Sequence, residues 1–456
     1  MGRLTGRWIR GAMLAPLSLL TAGMAYAQDD DVAARLAALE EAVAGSASSY
    51  VDNSYLFLIG GLIVMFMAAG FCMLEAGLVR AKNAAMQVTK NVSLFAVAGL
   101  MFWVVGYSMA YPGAFAFDFL GLTPGPWEAG DTSIMAVDDD GAATYAPASD
   151  WFFQMVFVAT CASIVSGTVA ERVKLFPFLI FTAVLTAVIY PVVAGITWGG
   201  GYLDATWGFS DFAGSTIVHS TGGWAALVGA LIIGARKGKY FGKSVNPMPG
   251  SNIPLAALGT FILWFGWFGF NGASELAAGT AESINNVSKI FANTNMAAVG
   301  GVLGALILTG ILYKGKIDAT LVFNGAIGGL VSITAEPLAP SMGLSVLIGA
   351  VGGVLVVLTV PLLDKFKIDD VVGAIPAHLV CGIWGTMVVP LSNGDASYLS
   401  QFVGIVVVAV WVSLASAIVW YALKFTLGVR PSEEDEELGL DRAEIGLEAY
   451  PEFANR

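Results

Sequence analysis

Charge is scarce in this chain: only 12% of its 456 residues are Asp, Glu, Lys or Arg, against roughly 25% in ordinary soluble domains. With 57% hydrophobic residues, a water-exposed globular fold is excluded, because it could not hide that much apolar surface. Cysteine is nearly absent. Cys72, Cys161 and Cys381 each fall inside an apolar run, without the paired spacing of a disulfide framework or a metal site, so they read as small buried side chains. Histidine is scarcer still, at His219 and His378 alone, and the segment 112–150 contains no Lys or Arg.

What the chain has in quantity is long apolar runs. Stretches of 18 or more residues almost free of charge recur along its length, each able to cross a hydrocarbon core of about 30 Å as a helix. Spans are expected near 54–79, 91–112, 151–170, 175–197 and 213–234, then 251–276, 294–313, 319–338, 342–363 and 371–391, with a last one near 399–424. The fold class is therefore an all-α polytopic membrane protein of eleven transmembrane helices.

The first 27 residues differ from these spans. Arg3, Arg7 and Arg10 precede a short apolar core from Ala12 to Ala22 and a small-x-small site at Ala25–Tyr26–Ala27, the pattern of a cleaved signal peptide. A signal anchor is the alternative, but the core is short and acidic residues follow at once. The expected organisation is a signal peptide over 1–27, a periplasmic segment over 28–53, a membrane domain over 54–427 and a cytoplasmic tail over 428–456.

Basic residues in short loops gather on the cytoplasmic side of a membrane protein. Here Arg80, Lys82 and Lys90 follow the first span, Arg172 and Lys174 the third, Arg236, Lys237, Lys239 and Lys243 the fifth. Lys314 and Lys316 follow the seventh, Lys365 and Lys367 the ninth, Lys424 and Arg430 the eleventh. All are odd-numbered exits, so the N-terminus is expected outside the bacterial inner membrane and the C-terminus in the cytoplasm.

An odd number of spans with opposite ends invites a search for an inverted repeat. The fifth span opens with Asp211, Gly214 and His219, and the tenth with Asp370, Gly373 and His378, at the same spacing. Eight residues of helix rise about 12 Å, which brings each histidine towards the middle of the bilayer from an opposite face. A lone histidine in a helix usually reads as a hydrogen-bonded core residue. Two in matched frames of a repeat point instead to a pathway through the membrane. Two intramembrane histidines also suit bis-His ligation of a haem in a redox subunit, whereas a catalytic zinc would want a third ligand that no spacing offers. No cofactor, metal or enzymatic activity is expected.

Four local sequences are more specific: 211–219, the Gly266–Ser274 stretch GWFGFNGAS, the Val165–Arg172 stretch VSGTVAER and the His378–Gly385 stretch HLVCGIWG. Together with Glu75–Asn83 (EAGLVRAKN), they resemble the Amt/Mep ammonium transporters over nearly the whole chain. The resemblance implies a homotrimer with one pore per subunit and two inverted five-helix repeats plus a C-terminal helix. It further implies an outer ammonium site, two stacked phenylalanines and a twin-His pair. Trp198 and Phe157 match the aromatic walls of the outer site and Ser274 its hydroxyl acceptor. Phe157 and Phe270 match the gate, and Trp267 a residue packed beside the pore. Asp211, with Thr216 helping to order it, matches an acidic residue that favours the outer site without touching the ion; an N-cap role fits Asp211 equally. Asp370 is its counterpart in the second half. The related Rh-glycoprotein branch generally lacks the tryptophan that Trp198 supplies.

On this resemblance the substrate is ammonium, held by cation–π attraction of about 0.5 to 2 kcal/mol and by hydrogen bonds that potassium cannot donate. Burying a cation costs far more than burying neutral ammonia, so loss of the proton near the outer site is expected, with ammonia passing His219 and His378. Return of the proton outside and its passage inward both suit these residues. The acidic tail resembles a regulatory segment that packs under neighbouring subunits and helps bind PII-type signal proteins, although Ile445 stands where a histidine is often found. A sensing role, reported through that tail to a partner, is the functional alternative. Val32, Leu36, Leu39 and Val43 form a brief heptad-like stripe that would aid association. No nucleic-acid partner is expected.

Overall fold

The computed structural model describes residues 47–111, 127 and 144–453. The expected signal peptide and the stripe from Val32 to Val43 lie outside the described residues.

Nine described helices are long and apolar enough to cross a membrane: α1 Ser49–Leu78, α2 Ala81–Ala110, α3 Pro147–Thr168, α4 Leu175–Ile196, α5 Ser215–Ile233, α6 Ile253–Glu275, α7 Ala281–Leu312, α9 Met342–Lys365 and α11 Tyr398–Thr426. Two shorter apolar helices, α8 Ala319–Thr334 and α10 Ile375–Leu391, complete the eleven. Local sequence fixes several starts. The side chains of Asn252, Asp318, Ser341 and Ser397 accept backbone N–H groups of the first turns of α6, α8, α9 and α11, and Thr280 and Ser283 form a reciprocal cap at the head of α7.

Two helices begin well before their apolar runs. The structure starts α2 at Ala81 and α7 at Ala281, because polar residues in those first turns find partners elsewhere in the fold. Lys90, expected in a loop, is buried in α2; its ammonium donates to the Ser166 carbonyl at 2.9 Å and lies 5.0 Å from the Phe178 ring.

Equivalent elements of the two halves meet one another: α1 packs along α6, and α5 against α10. An element in contact with its own repeat partner lies next to the axis relating the halves. Small residues permit the tightest approaches. A Cβ at Gly349 of α9 would stand 1.9 Å from the Ala297 carbonyl oxygen of α7, so only glycine fits there.

Phe176, Phe261, Ile311 and Phe425 are 75%, 68%, 69% and 80% exposed. Apolar surface costs roughly 25 cal/mol per Å² in water but nothing comparable against lipid tails.

On the face that carries the C-terminal tail, the first, third, fifth and ninth exits are tied together. Arg80 pairs with Glu171 at 2.5 Å, Arg236 with Glu171 and Asp369 at 2.9 Å each, and Arg172 donates to the carbonyls of Gly234 and Asp369. Burial pushes the Asp369 carboxyl up, but Arg172 and Arg236 outweigh it and hold it well below the usual carboxylate range. The tail docks beside this network: Glu436, chelated by Arg430, accepts the Lys237 N–H at 2.6 Å, and Asp441 accepts the N–H groups of Ala85 and Met86 at 3.0 and 2.7 Å, near the head of α2.

Candidate functional site

The stretch before α5 is built around one carboxylate. Asp211 accepts four backbone N–H groups, from Gly214 and Ser215 on one oxygen and Thr216 and Ile217 on the other, at 2.8 to 3.0 Å. Gly214 makes the turn possible with φ +111°, a conformation that side chains rarely tolerate. The helix then opens with a wide turn, the His219 N–H reaching back five residues to the Gly214 carbonyl at 3.0 Å. Such π-helical turns occur often at functional sites, because the extra residue re-aims a side chain.

The second half repeats the device. Asp370 accepts the Ile375 N–H at 2.8 Å and the Thr168 hydroxyl at 2.9 Å, Gly373 has φ +76°, and His378 lies in a π-helical turn over Ile375–Val380. Thr216 and Thr386 share a hydroxyl hydrogen bond of 2.7 Å, which ties α5 to α10.

These turns bring the two histidines together. Their Nδ1 atoms stand 3.3 Å apart; two protonated or two bare nitrogens would repel at that distance, so the contact is satisfied by one shared proton and opposite tautomers. His219 stacks on Trp267 at 5.0 Å and on Phe270 at 5.2 Å, and Trp267 is fixed by its indole N–H on the Thr334 hydroxyl at 2.8 Å. Facing nitrogens this close leave no room for an iron between them, since two metal–nitrogen bonds of about 2 Å each are needed. Among the described residues no group of three or more His, Cys, Asp or Glu side chains is arranged to hold a metal ion.

Phe270 stacks face to face on Phe157, ring centres 3.9 Å apart. Beyond Phe157, on the side away from the tail, opens a cavity of about 150 Å³. Phe157, Trp198 and Ser274 all line it, with Phe153, Phe212, Tyr111 and Tyr145 completing an aromatic wall. Trp198 is oriented by its indole N–H on the Asp211 carbonyl at 2.8 Å, and its ring meets Phe157 edge-on at 6.1 Å. The Ser274 hydroxyl donates to the Phe270 carbonyl at 2.7 Å, which leaves its lone pairs free to accept. Burial pushes the Asp211 carboxyl up to about 6, against the downward pull of its four N–H donors.

Asp370 stands apart from this cavity and lines another, of about 190 Å³, with Arg236, Asn324 and Asp364. A narrow cavity of about 10 Å³ lies beneath His378, lined by Phe71, Asn324 and Glu75. Glu75 gathers Gln87, Asn91 and Ser166 around one oxygen, leaving the other without a partner. Sequence reasoning missed two carboxylates. Glu75 was visible only as part of a motif, and Asp150, which lines the aromatic cavity, as an acidic residue heading a span.

Comparison with known proteins agrees with this architecture. The chain is 40% identical to the ammonium transporter Amt2 of Archaeoglobus fulgidus over 430 residues, covering 87% of each. It is 38% identical to a putative ammonium transporter of Synechocystis over 451 residues, 96% of this chain and 95% of that one. Among solved structures, a sensor Amt protein superposes with a TM-score of 0.79 at 33% identity, covering 87% of this chain and 98% of that one. Candida albicans Mep2 gives 0.74 at 27% identity, covering 88% and 91%. Residues 55–450 match the Ammonium Transporter Family, and the chain belongs to that family.

Proposed function

We propose that this protein takes ammonium at the face away from its tail and conducts ammonia, with or without the proton, through the twin-His passage to the tail side. One observation carries the reading: rings follow one another without a break from the aromatic cavity inward. Trp198 meets Phe157, Phe157 stacks on Phe270, Phe270 on His219, His219 on His378 and His378 against Phe71, at 3.9 to 6.1 Å.

Chemistry follows from this order. In the cavity a cation gains from the faces of Trp198 and Phe157 and from the Ser274 oxygen. Past the closed Phe157–Phe270 stack the passage is lined by rings and offers nothing to replace hydration of a charge, so the species that crosses is neutral. The His219–His378 pair then supplies hydrogen-bond partners and a route for a proton. Asp211 acts through the loop that it folds and through its charge, Trp267 holds the His219 ring, and Thr216 and Asp370 keep the two histidine turns in register.

The reading extends to a homotrimer in the bacterial inner membrane, with residues 1–27 removed, 28–53 periplasmic, 54–427 forming the membrane domain and 428–456 in the cytoplasm. Sensing is the second reading, favoured by the contacts of the tail with the head of α2 and by likeness to a protein described as a sensor. A PII-type signal protein binding at the tail suits either.

Charge movement in proteoliposomes after an ammonium pulse tests the proposal, with potassium as control. A saturable, ammonium-specific current that His219→Ala alters and Trp198→Ala weakens supports electrogenic conduction. Ammonia entry without current supports the electroneutral form. Neither current nor ammonia entry from correctly inserted protein overturns conduction and leaves sensing.

A further inference from the structure

We infer that Asp150 supplies the counter-charge for the cation in the aromatic cavity, a role that rests on the ammonium reading above. Asp150 sits in the first turn of α3, is 6% exposed and lines the cavity with Phe157, Trp198 and Ser274. Its Oδ2 accepts the Tyr107 hydroxyl at 2.6 Å, and the Gln154 side chain is a second hydrogen-bond donor to the carboxylate. Both bonds are neutral and leave the carboxylate's charge in place.

No described Lys, Arg or His pairs with Asp150; every ion pair found joins other residues. Nor does the adjoining segment 112–149 have a cation to give, since it contains no Lys, Arg or His. Buried carboxylates are ordinarily paired, because leaving one without a counter-ion is costly. Here a carboxylate with no described cation beside it lines a 150 Å³ space walled by aromatic rings, the environment that favours a small cation. Ammonium meets both demands at once, with charge for Asp150 and N–H donors for the lone pairs that Tyr107 and Gln154 do not use. The arrangement differs from that at Asp211, whose oxygens are all turned to backbone N–H groups.

The test compares Asp150→Asn, Asp150→Glu and Tyr107→Phe with the parent in proteoliposomes, reading apparent ammonium affinity and maximal rate separately. Asp150→Asn keeps the shape and removes the charge; its affinity is expected to fall about tenfold, the scale of losing one close charge pair in a partly hydrated site, with the maximal rate little changed. Asp150→Glu restores most of that affinity, and Tyr107→Phe, which removes the hydrogen bond but not the charge, leaves it within about twofold. Unchanged affinity in Asp150→Asn beside a saturable parent overturns the inference alone. So does an equal loss in Tyr107→Phe, which would make Asp150 a structural partner. A parent that neither transports nor saturates with ammonium overturns the functional reading and the inference with it.

Discussion

At the scale of single residues, the site is held by polar groups whose partners the fold itself supplies. Asp211 is the clearest case. With its carboxyl pushed up to about 6 by burial, it is charged above that pH and neutral below it. A charged Asp211 favours a cation nearby, so apparent affinity for ammonium is expected to weaken as the pH on the cavity side falls through about 6. Measuring affinity against pH checks this, and Asp211→Asn should make the step smaller. This residue was legible in the sequence because its motif recurs at Asp370, whereas Asp150 and Glu75 were not. What sets them apart is what surrounds them, and a carboxylate near a helix end looks the same in a sequence whether it meets water or a cavity.

At the scale of elements, helix positions and most helix starts followed from apolar runs, with 175, 319 and 342 both expected and observed, and two starts did not. α2 begins at Ala81 and α7 at Ala281, ahead of the expected 91 and 294, because Gln87, Lys90 and Asn91 of α2 are made acceptable in a helix by Glu75 and Ser166 and Asn286 of α7 by Glu275. Composition sees the polar residues but not those partners. Helix contacts were equally hidden, since glycine is common in membrane spans whether or not it touches anything. Two glycines of α9 separate the cases. Gly349 admits no Cβ, whereas nothing lies within 4 Å of one at Gly343. Gly349→Val is expected to cost about 3 kcal/mol and to lower the thermal unfolding midpoint clearly. Gly343→Ala should leave it unchanged or slightly raised.

At the scale of the whole molecule, the eleven-helix architecture could be read in advance because two independent signals agreed, apolar length and the gathering of basic residues at odd-numbered exits. The structure adds that the first, third, fifth and ninth of those exits are bonded to one another and that the tail joins the first, third and fifth. Residues 433–445 lie against the chain's own α2 and the 234–237 turn through Glu436 and Asp441, contacts that no periodicity in an acidic segment announces. Asp441→Ala is expected to loosen this docking and to speed protease cleavage within 433–450 several-fold, with the membrane helices uncut. Unchanged cleavage would mean that the Glu436 contacts hold the tail alone.

The buried Arg172 gives these long-range bonds a meaning in time. Its guanidinium is held by carbonyls at Thr168, Gly234 and Asp369, and Asp369 emerges from the ribosome almost two hundred residues after it. The helix head at Ala85 and Met86 waits longer, until Asp441 has been made. The first five helices therefore form with their tail-side ends unfinished, and the chain must be made as far as Asp441 before the bundle can lock.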